Sequence, residues 1–275
     1  MVSYRGIDVS NWSGYINWRE VRDAGIEVAI IQASEGTFYR DPYLHEFYNG
    51  AKENGIKVGF YHFFNPGSSP TPSEQARYFV DTIRGLDSDL KLVLDLEQTG
   101  GLDNYEVTRQ AIEFLEEVRN YSGLDVAVYT YTNFAQYNLY EGLGLSEYPL
   151  WIAQLSEGGP SPNPIWGNKY VAWQYSDTGR VRGINASTDL DLIYDGMFLD
   201  DRRYSKRTKT TTTNSRNKTR TIYTKWSYIL HSSRRGHTNF NSSKIWYYSS
   251  RDYSDKFYSK SKFDICGRSI ENISR

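Results

Sequence analysis

The run Val93-Leu94-Asp95-Leu96-Glu97 ends an apolar stretch with two carboxyl groups two residues apart. It has strand character and stops at Gln98-Thr99-Gly100-Gly101, which is polar and Gly-containing. In a strand, residues i and i+2 point to the same face, about 6.6 Å apart along the chain. Two acids on one face of an otherwise buried strand cost free energy unless they are paired, solvated or used. An ion-paired strand end is the plain reading. The sharper one is a general acid and its partner in a glycosidase, where carboxyl groups flank the bond to be cut.

Such a pair needs elements that hold it, and residues 1–200 supply a repeated strand-then-helix pattern. Strands are expected over 4–9, 27–32, 57–63, 91–97, 125–131, 149–154, 169–175 and 188–192. Helical patterns over 18–24, 41–54, 72–83, 103–120 and 134–140 separate most of the early ones. Asp103 followed by Glu106 reads as an acidic form of the capping box. The later connections are loops, as in Gly158-Gly159-Pro160-Ser161-Pro162-Asn163-Pro164. The expected fold is therefore α/β: an irregular (β/α) barrel of eight strands, poor in helices after the fifth. Polar residues gather at the strand ends: Asp8, Glu35, His62, Asp95, Glu97, Tyr129, Gln154 and Gln174, with Asp189 and Asp191 in the eighth strand. In a barrel such ends converge on one rim, where active sites sit.

Several blocks resemble glycoside hydrolase family 25. They are Gly6-Ile7-Asp8-Val9-Ser10-Asn11-Trp12-Ser13-Gly14, Ala33-Ser34-Glu35-Gly36, Gly59-Phe60-Tyr61-His62-Phe63, Leu94-Asp95-Leu96-Glu97, Trp151-Ile152-Ala153-Gln154, Ala172-Trp173-Gln174-Tyr175 and Thr188-Asp189-Leu190-Asp191. The resemblance covers about residues 3–199. It implies a barrel of five β/α units followed by three further strands, and a lysozyme that cuts the β-1,4 bond after N-acetylmuramic acid in peptidoglycan. By the same resemblance Glu97 is the general acid, and Asp95, Asp8 and Asp189 are the other acids around the reacting sugar. The i, i+2 spacing leaves direct displacement, inversion and attack by the substrate's own acetamido oxygen open. The resemblance favours the last, with Asp95 polarising the acetamido N–H. Glu35, Tyr61, His62, Tyr129, Trp151, Gln154, Trp173 and Gln174 are expected to bind substrate. Glu35 could instead pair with Arg40, His62 could be a satisfied rim histidine, and the aromatics could be barrel core. Asp191 is expected to lie outside contact with the sugar. Gln32 departs from the family pattern, which often has Lys there. The rivals are a glycan-binding barrel with little turnover and a chitin-directed glycosidase.

Composition narrows the partners. Cys266 is the one cysteine, so no internal disulfide and no Cys-based zinc site is expected, and no metal or organic cofactor is implied. The N-terminus lacks a signal-peptide pattern, and no run is long and apolar enough to span a bilayer. The expectation is a protein made in the cytoplasm that meets bacterial wall peptidoglycan after release, without membrane insertion or a specific nucleic-acid partner. The charge divides sharply. Residues 201–275 hold 18 Lys and Arg against 5 Asp and Glu, leaving 14 against 28 in residues 1–200. Two modules are expected: a catalytic barrel over 1–200 and a basic tail over 201–275. The tail has no Ala, Val, Pro, Met or Gln and a single Leu, Leu230, which suits no ordinary folded domain. A disordered basic tail and an unusual wall-binding module are two readings. The third is a translated wrong frame. With AT-rich codons shifted by one base, residues 235–249 can spell GDTLTSIAAKYGTTV, which resembles a peptidoglycan-binding LysM module.

Overall fold

Alternation of apolar residues with period two, against helices with period 3.6, builds the observed architecture. The structure is a computed structural model that describes residues 2–200 apart from Ser68 and Glu157. The readings of the 201–275 tail lie outside the described residues. Nine strands form one sheet: β1 (Ser3–Val9), β2 (Val28–Glu35), β3 (Tyr39–Arg40), β4 (Lys57–Phe63), β5 (Leu92–Asp95), β6 (Val126–Tyr131), β7 (Leu150–Ala153), β8 (Ala172–Gly179) and β9 (Thr188–Tyr194). The order is β1-β9-β8-β7-β6-β5-β4-β2-β3, and pairing of β1 with β2 closes eight of them into a barrel. The two-residue β3, which sequence reasoning did not anticipate, folds back antiparallel on the end of β2.

The helices are α1 (Trp18–Asp23), α2 (Leu44–Glu53), α3 (Pro72–Thr82), α4 (Asn104–Ser122) and α5 (Thr132–Tyr137). Local chemistry fixes their ends. Thr71 and Glu74 make a reciprocal capping box ahead of Pro72. The Asp103 carboxylate accepts from Glu106 N at 2.8 Å, and α4 stops at Gly123 in the left-handed region. The expected capping box at Asp103 is only half formed, because Glu106 turns to Arg109 and Gln110. Helices cover the barrel up to β6. Beyond it only α5 and short 3-10 turns remain, in accord with the expected loss of helices.

Side chains split between two apolar layers. Ile7, Ile31, Phe60, Leu94, Val128 and Ile152 face outward onto the helices, where Phe47, Phe79 and Phe114 complete a fully or almost fully buried layer. Each such side chain contributes about 1.5–3 kcal/mol by leaving water. Val28, Ile30, Leu90, Val93, Ala127, Trp151, Ala172, Ile193 and Met197 fill the barrel interior. Odd-numbered β5 residues thus point inward, which is the face that carries Asp95.

Candidate active site

The strand pairings set one level of the barrel interior. Glu35 is in register with Phe63, Phe63 with Asp95, Asp95 with Tyr129, and Tyr129 with Trp151. Glu35 reaches this level through an irregularity in β2: register shifts between Gln32 and Ser34, so Ser34 faces the helices and Glu35 the interior. The last strand adds two more acids. β9 runs antiparallel to β1, so its beginning lies at the rim where the parallel strands end. Asp189 therefore sits opposite Asp8, and Asp191 lies one level deeper, opposite Gly6. A side chain at Gly6 would meet Asp191 Cβ at 3.1 Å and Ile193 Cγ1 at 2.9 Å, so this close approach requires glycine.

These residues surround a cleft of about 320 Å³ lined by Asp8, Ser10, Trp12, Gln32, Glu35, Tyr61, Phe63, Asp95, Glu97, Tyr129, Trp151, Gln174 and Asp189. No Lys or Arg is in that lining. A larger hollow of about 640 Å³, lined by Tyr148, Trp166, Tyr170 and Tyr194, opens where β7 begins and β9 ends, away from the acids. The carboxyl groups line the smaller cleft.

Hydrogen bonds hold the acids in two groups. Gln174 Nε2 donates to Asp8 at 2.8 Å and its Oε1 accepts from the Tyr129 hydroxyl at 2.9 Å. Trp151 Nε1 donates to Asp191 Oδ1 at 2.9 Å. Asp95 and Glu97 are near enough that each shifts the other's titration. Asp95 Oδ1 is buried and accepts no N–H or O–H of the described residues. Burial, followed by the Glu97 charge, raises the Asp95 carboxyl well above the usual range, with Glu35 adding to the effect. Burial also raises Glu97, while the polar groups of Tyr129 and Asp95 beside it pull the other way. Asp8 is raised well above its usual value by burial and then by Asp191 and Asp189. Burial pushes Asp189 up to about 6 and Asp191 to about 8. The cleft thus keeps protons on carboxyl groups at pH values where free ones have lost them. Among the described residues, no group of three or more His, Cys, Asp or Glu could hold a metal ion.

Three expected substrate contacts are not brought to the cleft. His62 is fully buried on the outer face of β4, stacked on Phe114 with ring centroids 5.1 Å apart. Its Nδ1 lies 2.9 Å from Ser34 Oγ, and burial pushes it down to about 3. Alternation explains this: Tyr61 and Phe63 point inward, so His62 cannot. Trp173 likewise faces outward between Ala172 and Gln174 and donates to Gln154 O at 2.9 Å. The Gln154 side chain is spent on its own loop, bonding Thr132, Ser156, Gly159 and Ser161. Arg40 does not pair with Glu35; its guanidinium lies 5.0 Å from the Tyr78 ring centroid. Ser10, Trp12 and Phe63 line the cleft without having been singled out. Trp12 is 72% exposed, an exposure that no residue pattern discloses.

An open cleft lined by carboxyl groups from several strands at the rim of a mixed barrel is the kind of site a glycoside hydrolase uses. The comparisons agree. The model of glycosyl hydrolases family 25 matches residues 7–184, and the chain belongs to that family. It is 38% identical over 195 residues to the autolytic lysozyme of Clostridium acetobutylicum, covering 71% of this chain and 57% of that protein. Lysozyme M1 of Streptomyces globisporus is 34% identical over 198 residues, covering 67% of this chain and 66% of its own. The crystal structure of the bacterial lysozyme from Streptomyces coelicolor superposes with a TM-score of 0.61 at 29% identity, over 72% of this chain and 94% of that one.

Proposed function

We propose that this chain hydrolyses the β-1,4 bond between N-acetylmuramic acid and N-acetylglucosamine in bacterial peptidoglycan, with Glu97 as general acid. The observation that carries the reading is the placement of Asp95 and Glu97 side by side in a cleft that no Lys or Arg lines, where burial raises both carboxyl groups. Family membership and the lysozyme relatives supply the substrate class.

The same placement favours one route. Asp95 and Glu97 come from the end of one strand and line the cleft side by side, not as a nucleophile facing its acid across the bond to be cut. Assistance by the substrate suits the pair better. When the acetamido N–H of the muramic acid donates to Asp95, the ionised form of Asp95 is favoured and its proton passes to Glu97. The acetamido oxygen then forms a bond to the anomeric carbon as the glycosidic bond breaks, and the leaving oxygen takes the proton from Glu97. Glu97, now a carboxylate, accepts a proton from the water that opens the resulting ring, so configuration is retained. Asp189, with Asp8 behind it, lends negative charge to the oxocarbenium-like transition state. Tyr61, Trp151 and the exposed Trp12 offer faces and edges to the sugars, and Tyr129 and Gln174 hold Asp8 and Glu97 in place.

The test is release of reducing ends from purified Gram-positive walls, with products identified by mass spectrometry. Muramyl reducing ends are expected, and Glu97→Gln should lower kcat by about 10²–10⁴-fold. Equal background release by wild type and variant would defeat the enzyme reading and favour a glycan-binding barrel. Glucosaminyl reducing ends would assign a different bond.

A further inference from the structure

We propose that Asn65 is a positioning residue for the acid pair: its side-chain amide fastens Glu35 on one side and the segment that carries Glu97 on the other, keeping Glu35 turned toward Asp95. The inference rests on the reading of Asp95 and Glu97 given above. Asn65 itself is not among the cleft-lining residues and no motif marks it.

The geometry is a clamp. Asn65 Nδ2 donates to Glu35 Oε1 at 3.3 Å, while Asn65 Oδ1 accepts from Gln98 Nε2, the side chain next to Glu97. Gln98 Nε2 also reaches Phe64 O at 3.2 Å. The backbone of Asn65 is gripped in both directions by Gln75, which is fully buried: Asn65 N donates to Gln75 Oε1 at 3.0 Å, and Gln75 Nε2 donates to Asn65 O at 2.8 Å. His62 Nε2 lies 3.4 Å from the same Gln75 Oε1 and Ser34 Oγ lies 2.9 Å from His62 Nδ1. A neutral His62 with its proton on Nε2 satisfies every one of these contacts, with Ser34 donating to Nδ1. Asn65 therefore has one orientation available to it, with its donor aimed at Glu35.

Glu35 needs that hold. It shares a level of the barrel with Asp95 but stands two strands away, so about 10 Å of sheet separates their backbones. A long, flexible carboxylate at a rim turns to solvent unless a donor fixes it. Held inward, it adds negative charge on the β2 side of Asp95. The other ionisable groups facing the pair are Asp8, Asp189 and Asp191 from β1 and β9, Tyr61 from β4, and Tyr129 and Tyr131 from β6. None is a cation, so Glu35 acts in one direction: it helps the pair keep its last proton to higher pH.

The experiment is the pH dependence of kcat/KM on wall glycan for wild type, Asn65→Leu, Glu35→Gln and the double variant. Both single variants should move the alkaline limb down by roughly half to one pH unit, and the double variant should move it no further than either alone. Loss of activity at an unmoved limb in Asn65→Leu would make Asn65 merely structural and overturn the proposal, as would an unmoved limb in Glu35→Gln. Additive shifts in the double variant would overturn it too. A carboxyl ¹³C titration of Asp95 in the same four proteins reads the shift without turnover. If Asn65→Leu does not fold, Asn65→Ser, whose hydroxyl stops short of Glu35, should lower the titration as Glu35→Gln does, and an unmoved titration would overturn the proposal. An inactive wild type whose Asp95 titration still responds to Asn65 would count against the muramidase reading alone.

Discussion

Asp95 and Glu97 differ by one step of depth, and that step separates their tasks. Asp95 ends β5 and is buried among Asp8, Tyr61 and Tyr129, so its charge is costly and its carboxyl is raised well above the usual range. Glu97 lies beyond the strand end, where a donor and the cleft both reach it. A proton that rests on the deeper group and moves to the shallower one when an amide arrives would couple acid strength to the presence of an N-acetylated sugar. The coupling can be measured. Asp95→Asn should lower kcat/KM on acetylated walls by about 10²–10⁴-fold, and wild type should lose a similar factor on N-deacetylated walls. Asp95→Asn on deacetylated walls should then lose little more, because both changes remove the same interaction. Independent, multiplying losses in reducing-end assays would rule out the assisted route and leave the acid assignment standing.

At the scale of elements, the cleft is a matter of which way strands face and where loops are tied. The turn Asn11–Ser13 after β1 raises Trp12 over the opening, and the buried Asp41 ties it down. Asp41 accepts from Asn11 N at 2.7 Å and from Tyr43 N at 2.8 Å, linking the turn to the start of α2. Trp12→Ala should raise KM for wall fragments by roughly 3–10-fold, since a lost aromatic face is worth about 0.5–1.5 kcal/mol, and leave the melting temperature nearly unchanged. Asp41→Ala should raise KM in the same way and also cost about 1–3 kcal/mol of stability, because it strands two backbone donors; denaturant melts beside initial rates separate the two effects. The strands themselves were legible in the sequence: 57–63 as read is β4 as found, and the acids do converge. Facing was legible only where alternation ran unbroken. His62 belongs to a conspicuous Tyr-His-Phe triplet, yet parity sends it to the helices, and Glu35 returns to the interior only because β2 slips by one residue. The Asn65 clamp joins residues 30 and 33 positions apart, a relation that no local pattern encodes.

Over the whole barrel, burying acids without cations links stability to pH in a definite direction. Asp191 titrates near 8 in the folded chain and Asp189 near 6, whereas both have ordinary values when unfolded; Asp8 and Asp95 are raised as well. In the interval between those values the folded protein holds protons that the unfolded chain has released, so the stability they give is complete below about pH 4 and is lost as pH rises through 6 to 8. His62 acts at the other end. Its folded value near 3 lies below the usual 6.5, so its contribution is present above 6.5 and is lost as pH falls toward 3. Between pH 6.5 and 8 the raised carboxyl groups lose this contribution as they ionise, and the melting temperature should fall there. Asp191→Asn isolates one member of the set, because an amide oxygen can still accept from Trp151 Nε1. A shift from an ordinary value to about 8 is worth at most about 6 kcal/mol, so even a part of it is visible. The variant should melt higher than wild type at pH 8.5, close to wild type at pH 4, and with a shallower slope between. Parallel melting curves for the two proteins across that range, followed by circular dichroism, would show that Asp191 is ionised throughout and that its charge is balanced by some group other than the carboxyl cluster.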